Sequence, residues 1–210
     1  TIGIKISQPS PFKNSIDSFS YALAINIAFN MKQQGAEKLN MTIVTKGFDD
    51  VMKNKQPLMD MQTSNSCVNH YLMALAANKS AAFKAECEKF LAENKKRKEV
   101  IVTPSGLQYE ILKVGTGVKP VDTNTVKVHY TGTLINGKKF DSSVDRGQPI
   151  EFSVTGVISG WTEALKLMPV GSKWKLYIPS NLAYGDHGQG PDIEPGAALI
   201  FEVELLGITK

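Results

Sequence analysis

Glycine is spread so unevenly along this chain that no single class of secondary structure fits all of it. Of 17 glycines in 210 residues, 3 lie in residues 1–100 and 14 in residues 101–210. Seven of the 10 prolines and both tryptophans also fall in the second part, whereas 6 of the 7 methionines fall in the first. Glycine and proline punctuate turns. Their scarcity predicts long helices over 1–100, and their abundance predicts short strands and turns over 101–210. Two domains with those bounds follow, meeting near the charge run Lys95-Lys96-Arg97-Lys98. Charge divides in the same place. The first part carries 14 Lys+Arg and 9 Asp+Glu, the second 10 and 11.

The net charge of +4 is mild. No basic stripe alternates with aromatics, so a nucleic-acid partner is not expected. No stretch of about 18 apolar residues predicts a membrane span. No basic, then apolar, then small-residue leader is present, and the start at Thr1 is compatible with one having been removed.

Three helices are predicted in the first part. Ile16, Phe19, Leu23, Ile27 and Met31 recur at helical spacing, with Ser15 as cap and Gly35 as stop. A second stripe, Tyr21, Ile25 and Phe29, occupies another face. A helix apolar on several faces must be buried on several sides. Asn40 caps a short second helix carrying Val44, Phe48 and Val51. Asp60 caps a third, with Val68, Leu72, Leu75, Ala76, Phe83, Cys87, Phe90 and Leu91, running from about 60 to 98. About 38 residues of helix span roughly 57 Å, too long for two shorter helices of one chain to cover. The pattern predicts a helical dimerisation domain; the alternative is a monomeric three-helix bundle.

The second part alternates with period two. Val126-Val128-Tyr130, Trp174-Leu176-Ile178 and Leu199-Phe201-Val203-Leu205 each mark one buried face of an antiparallel strand. Asn136-Gly137 signals a tight turn. A short helix from Trp161 to Met168 is stopped by Pro169. The expected fold is α+β, an antiparallel sheet packed on one short helix.

The usual reactive constellations are missing. His70, His129 and His187 have no metal-ligand spacing. Cys67 and Cys87, twenty apart on one helix, cannot reach each other within a chain. No nucleophile elbow or phosphate loop occurs. What remains is an aromatic-rich set: Tyr130, Phe140, Phe152, Trp161, Tyr184 and Phe201, with Val157, Ile158, Asp141 and Arg146 among them.

Five blocks, in order, closely resemble the FKBP-type peptidyl-prolyl cis-trans isomerases. They are Val128-His129-Tyr130-Thr131-Gly132, Gly137-Lys138-Lys139-Phe140-Asp141-Ser142-Ser143 and Val157-Ile158-Ser159-Gly160-Trp161, then Ile178-Pro179 with Ala183-Tyr184-Gly185, and Leu199-Ile200-Phe201-Glu202-Val203-Glu204-Leu205. Thr103-Pro104-Ser105-Gly106-Leu107-Gln108-Tyr109 and Trp161-Thr162-Glu163-Ala164-Leu165 resemble the two-domain bacterial subgroup of macrophage infectivity potentiator (Mip) type.

The resemblance implies a half-open sheet wrapped around the short helix, with a proline pocket between them. It implies Trp161 as floor, with Tyr130, Phe140, Val157, Ile158 and Phe201 as walls. Phe152, Arg146 and Ile193 join the substrate-binding set. Asp141, Tyr184, Tyr130 and Ile158 are the implied catalytic residues. Among them, the Ile158 N–H and the Tyr184 hydroxyl are directed at substrate carbonyls, and Asp141 pairs with Arg146 and bonds to Tyr130. Ile150, Gln189 and Asp192 depart from the family pattern.

Implied partners are proline-containing polypeptide clients, a second copy through the N-terminal helices, and macrolide inhibitors. No cofactor or metal is expected. The subgroup implies export to the periplasm or outer membrane of a Gram-negative bacterium. The leading expectation is a folding-assisting isomerase. The alternative is a holdase chaperone with an incidental pocket.

Overall fold

Asparagine or aspartate starts each of the three leading helices, because their side-chain oxygens satisfy backbone N–H groups that a helix start leaves unpaired. The computed structural model describes residues 11–210; the start at Thr1 lies outside them. Helix α1 spans Ser15–Gln33, and its cap is Asn14 rather than the expected Ser15. Asn14 has an extended backbone and its Oδ1 accepts from the Asp17 N–H at 2.9 Å, while Ser15 is already helical. Gly35, at φ +88°, ends the helix as expected. Helix α2, Met41–Met52, is capped by Asn40, whose Oδ1 accepts from the Ile43 N–H. Helix α3, Met61–Asn94, follows Asp60, whose Oδ1 accepts from the Thr63 N–H at 2.7 Å. It stops four residues short of Lys98.

The described chain groups into two compact units that divide between Asn78 and Lys79, inside the span of α3. In the first unit, only Ala36 and Asp50 of the described residues are buried. Asp50 pairs with Lys46 at 2.8 Å, one helical turn away. Helix α1 buries none of its residues: Ile16, Phe19, Tyr21, Leu23, Ile25, Ile27 and Phe29 are 37–72% exposed.

The second unit, Lys79–Lys210, holds a seven-stranded antiparallel sheet. Its strands are β1 (Ile101–Val102), β2 (Gln108–Lys113), β3 (Thr125–Leu134), β4 (Lys139–Ser142), β5 (Ile150–Ser153), β6 (Lys173–Ile178) and β7 (Leu199–Ile208). The order is β1-β2-β6-β7-β3-β4, and β5 pairs with β3 beside β4. The ten-residue β3 is central. It pairs with β7 along one edge, while β5 and β4 share the other. Burial alternates strictly along β3, as its sequence predicts. Asn136-Gly137 makes the β3–β4 turn, with Gly137 at φ +83°.

Helix α4, Ser159–Leu167, lies against the concave face and ends two residues before Pro169. Its Trp161, Ala164 and Leu165 join Val126, Val128, Leu176, Ile178, Leu199, Val203 and Leu205 in one core. Gly160 is needed there, since a Cβ would sit 2.5 Å from the Ile178 side chain. The last turns of α3 cover other surface of the same unit. Phe83 packs on the core, Cys87 is 2% exposed, and Phe90 meets the Tyr177 ring at 6.0 Å. Below them the Asn94 amide donates to Gln108 at 2.9 Å, and Arg97 and Glu110 pair at 2.6 Å beside the Tyr177 hydroxyl. Among the described residues no helix is long and apolar enough to cross a membrane.

Candidate functional site

A cavity of about 680 Å³ opens in the second unit between α4 and the sheet. Period-two alternation explains who lines it. On β3, Tyr130 and Gly132 follow Val126 and Val128 on the buried face. Tyr130 stands beside Val203, and Gly132 beside Phe201. Strand β4 supplies Phe140 and Asp141, and β5 supplies Phe152. Val157 and Ile158 lead into α4, and Trp161, on its first turn, lines the cavity with them. Tyr184, Gln189, Gly190, Pro191, Asp192 and Ile193 close the far side from the flap, the loop between residues 183 and 198.

Every residue the sequence assigned to the pocket therefore lines one cavity, with Arg146 the exception. Arg146 reaches the site indirectly: it ion-pairs with Asp141, and its Nη2 donates to the Tyr130 hydroxyl at 3.1 Å. Gly156, Gly190 and Pro191 are lining residues that the sequence reading did not single out. The run Gly188-Gln189-Gly190-Pro191 marks a loop in any sequence, but nothing local says which cavity the loop covers.

The aromatic rings make a cage with a consistent geometry. The Trp161 ring stands edge-on to Tyr130, Phe152 and Phe201, at 5.3, 5.8 and 5.2 Å. Phe140 meets Phe201 at 5.5 Å, also edge-on. Such contacts fix ring orientation beyond simple burial. The cage offers flat apolar surface on several sides of a space open to solvent at one end.

One charged group sits within the cage. Asp141 accepts from the Tyr130 hydroxyl through one oxygen and from Arg146 through the other. Burial pushes its carboxyl up, but the hydrogen bonds from Tyr130 and Arg146 and the guanidinium charge outweigh that and hold it below 3.8. Burial and the bond to Asp141 raise the Tyr130 phenol, and the bond to Asp141 raises Arg146. At neutral pH the three are a carboxylate, a neutral phenol and a guanidinium. Two donors belong to lining residues and are unspent. Among the described residues neither the Tyr184 hydroxyl nor the Ile158 N–H has a hydrogen-bond partner. His129 lies on the other side of β3, its Nδ1 3.1 Å from the Ser143 hydroxyl.

The profile of a family described as FKBP-type peptidyl-prolyl cis-trans isomerase matches residues 116–206, and one described as the domain amino-terminal to it matches residues 16–111. The outer membrane protein MIP of Legionella longbeachae is 40% identical over 92% of this chain and 86% of its own length. The FKBP-type 22 kDa peptidyl-prolyl cis-trans isomerase of Escherichia coli is 43% identical over 90% of this chain and 93% of its own. The crystal structure of FkpA from Escherichia coli superposes with a TM-score of 0.77 at 37% identity, covering 94% of this chain and 98% of that one.

Proposed function

The chain belongs to the FKBP-type peptidyl-prolyl cis-trans isomerases, and from that premise we propose how its pocket works, on what, and in which assembly. Resonance holds an ordinary peptide bond planar behind a barrier of about 18–20 kcal/mol. Before proline the two isomers are nearly equal in energy, yet exchange takes tens to hundreds of seconds. The task is to favour the twisted amide. No covalent bond is broken, so the reaction requires no nucleophile.

The ring cage around Trp161 takes the proline ring. Burial there removes water from the amide, which weakens the charge-separated planar form. Tyr130, Phe140, Phe152, Val157, Ile158, Ile193 and Phe201 supply that surface. The Tyr184 hydroxyl and the Ile158 N–H donate to the carbonyls flanking the bond and hold the twisted conformer better than the planar ones, which is catalysis by differential binding. Asp141 braces: both its oxygens are engaged by Tyr130 and Arg146, and this keeps the Tyr130 ring and the β4 edge in place. The observation that carries this reading is the coincidence of two unspent donors with an aromatic cavity. The substrates are proline-containing segments of other polypeptides, and macrolides are a second class of occupant.

Residues 1–100 form the dimerisation domain and 101–210 the isomerase. The support is the unburied apolar surface of α1, which a second copy would cover. A periplasmic or outer-membrane setting in a Gram-negative bacterium rests on likeness to a relative named an outer membrane protein.

A protease-coupled assay on a proline tetrapeptide tests the activity. Light scattering of the full chain tests the assembly. Catalysis of isomerisation by a dimer is expected; an inactive chain overturns the pocket reading, and a monomer at micromolar concentration overturns the dimer.

A further inference from the structure

Within the flap, the twelve residues from Gly185 to Gly196 form an Ω-like loop whose ends meet. The Gly196 N–H donates to the Gly185 carbonyl at 2.9 Å and closes its neck. Inside the loop Gln189 and Ile193 exchange backbone hydrogen bonds. Gly188, at φ +67°, lies so close to Ile193 that a Cβ would be 2.2 Å from its carbonyl oxygen. The loop is therefore tied to itself at two levels, and its position depends on what holds the neck.

One residue of α3 spans that neck. Lys84 Nζ pairs with Asp186 at 2.7 Å on one side. On the other, its aliphatic stem lies against Gly196 so closely that a Cβ there would be 2.8–3.1 Å from Lys84 Cβ, Cγ and Cδ. The helix cannot slide beneath it, because Cys87, one turn on, is buried and Phe83 packs on the core. A turn earlier, Lys79 pairs with Glu194 at 3.3 Å and the Ser80 hydroxyl reaches the Pro195 carbonyl at 3.5 Å. From the other direction Lys138, in the β3–β4 turn, pairs with Asp192 at 2.8 Å.

We propose that Lys84 is a positioning residue of the isomerase: by holding the neck of the flap through Asp186 and Gly196, it sets where Tyr184 and Ile193 stand against the pocket. Tyr184 immediately precedes the neck, so a shift of the neck is a shift of its hydroxyl. Helix α3 is on this account part of the catalytic apparatus and not only a connector. Its hydrogen bond to Asp186 also holds the Lys84 ammonium above its ordinary pKa. The proposal rests on the pocket reading of the preceding section.

The test uses the full chain. Lys84→Glu reverses the charge and Lys84→Glu with Asp186→Lys restores the pair in the opposite sense; neither residue lines the cavity. Lys84→Glu should lower kcat for a proline tetrapeptide by up to about fivefold, the ceiling for one exposed ion pair. It should leave KM within about twofold, speed amide exchange across residues 185–196, and leave the urea midpoint unmoved. The double exchange should restore kcat and flap exchange together. Wild-type kcat and wild-type flap exchange in Lys84→Glu would overturn the proposal, and so would a loss the reversed pair does not rescue. If the wild-type chain itself does not isomerise the peptide, the pocket reading fails, and flap exchange alone then decides whether Lys84 holds the loop.

Discussion

Phe140 and Phe201 meet edge to face over Gly132, which has no room for even one methyl. A Cβ at Gly132 would sit 2.6 Å from Phe140 and 2.8 Å from Phe201. Three strands converge there, since Gly132 pairs with Phe201 on β7 and with Asp141 on β4. The glycine is required by side-chain approach, not by backbone conformation.

Gly132→Ala should therefore disturb function more than folding. The atoms in the way are ring edges, which can tilt into the open cavity. A stability cost of about 1 kcal/mol is expected, at the low end for overpacking. A loss of about tenfold in kcat/KM, equivalent to about 1.4 kcal/mol, should accompany it. Urea unfolding and the tetrapeptide assay check both, and unchanged kcat/KM would mean the rings withdraw without narrowing the pocket.

Tyr184→Phe and Val203→Ala should have opposite effects. Tyr184 is part-exposed at the rim, whereas Val203 is fully buried beside Tyr130. Losing the Tyr184 hydroxyl changes little volume, so stability should hold while kcat/KM falls about tenfold. Losing the Val203 methyls leaves a cavity that costs about 1–3 kcal/mol, while the folded fraction keeps its rate. Full activity in Tyr184→Phe would reduce Tyr184 to a wall.

The Asp141 carboxyl gives a pH signature of defined sign. Its folded pKa lies below the ordinary 3.8, so its pairing stabilises the fold above that value and is lost as pH falls through the folded value. The difference in urea midpoint between wild type and Asp141→Asn should be constant near neutrality and shrink below about pH 4. A difference that persists undiminished at about pH 3 would show that the stabilisation does not come from the ionised carboxylate.

The two thiols should differ in reactivity. Cys87 is buried on α3 and burial pushes its thiol pKa up, so little thiolate forms. At about pH 8 a disulfide reagent should modify at most one thiol per native chain, and both in denaturant. Two fast-reacting thiols in the native protein would show that the α3 packing opens readily.

Much of the pocket was legible because its motifs resemble the FKBP-type family; residue type and strand alternation by themselves gave an aromatic-rich set on buried strand faces. Tyr130 and Phe201 fall on the buried phase of their strands by counting alone. Asp141 and Arg146 are close in sequence and came together as expected. The flap was less legible. Gln189 and Asp192 stood out only as departures, and Gly156, Gly190 and Pro191 line the cavity without any local signal. A loop's composition fixes that it turns, not what it faces. The Asn14 cap shows the same limit at small scale. Both Asn14 and Ser15 can cap, and only the backbone angles select one.

The sequence by itself determined the kinds of element and their order, because helix and strand periodicities are local and glycine and proline mark their ends; most of the pocket's members were legible only through the family resemblance. The stripe Val68–Leu91 on α3 shows where that stops. Periodicity says that such a face is covered, and the sequence reading placed the whole helix in a dimerisation domain. The fold divides it: Val68 stays exposed, while Phe83, Cys87 and Phe90 pack within the second unit. Only tertiary structure could bring Lys84 to Asp186, 102 residues on. Contacts of that range follow from how the sheet closes on its helices, and no local preference encodes which distant surface a helix face will meet.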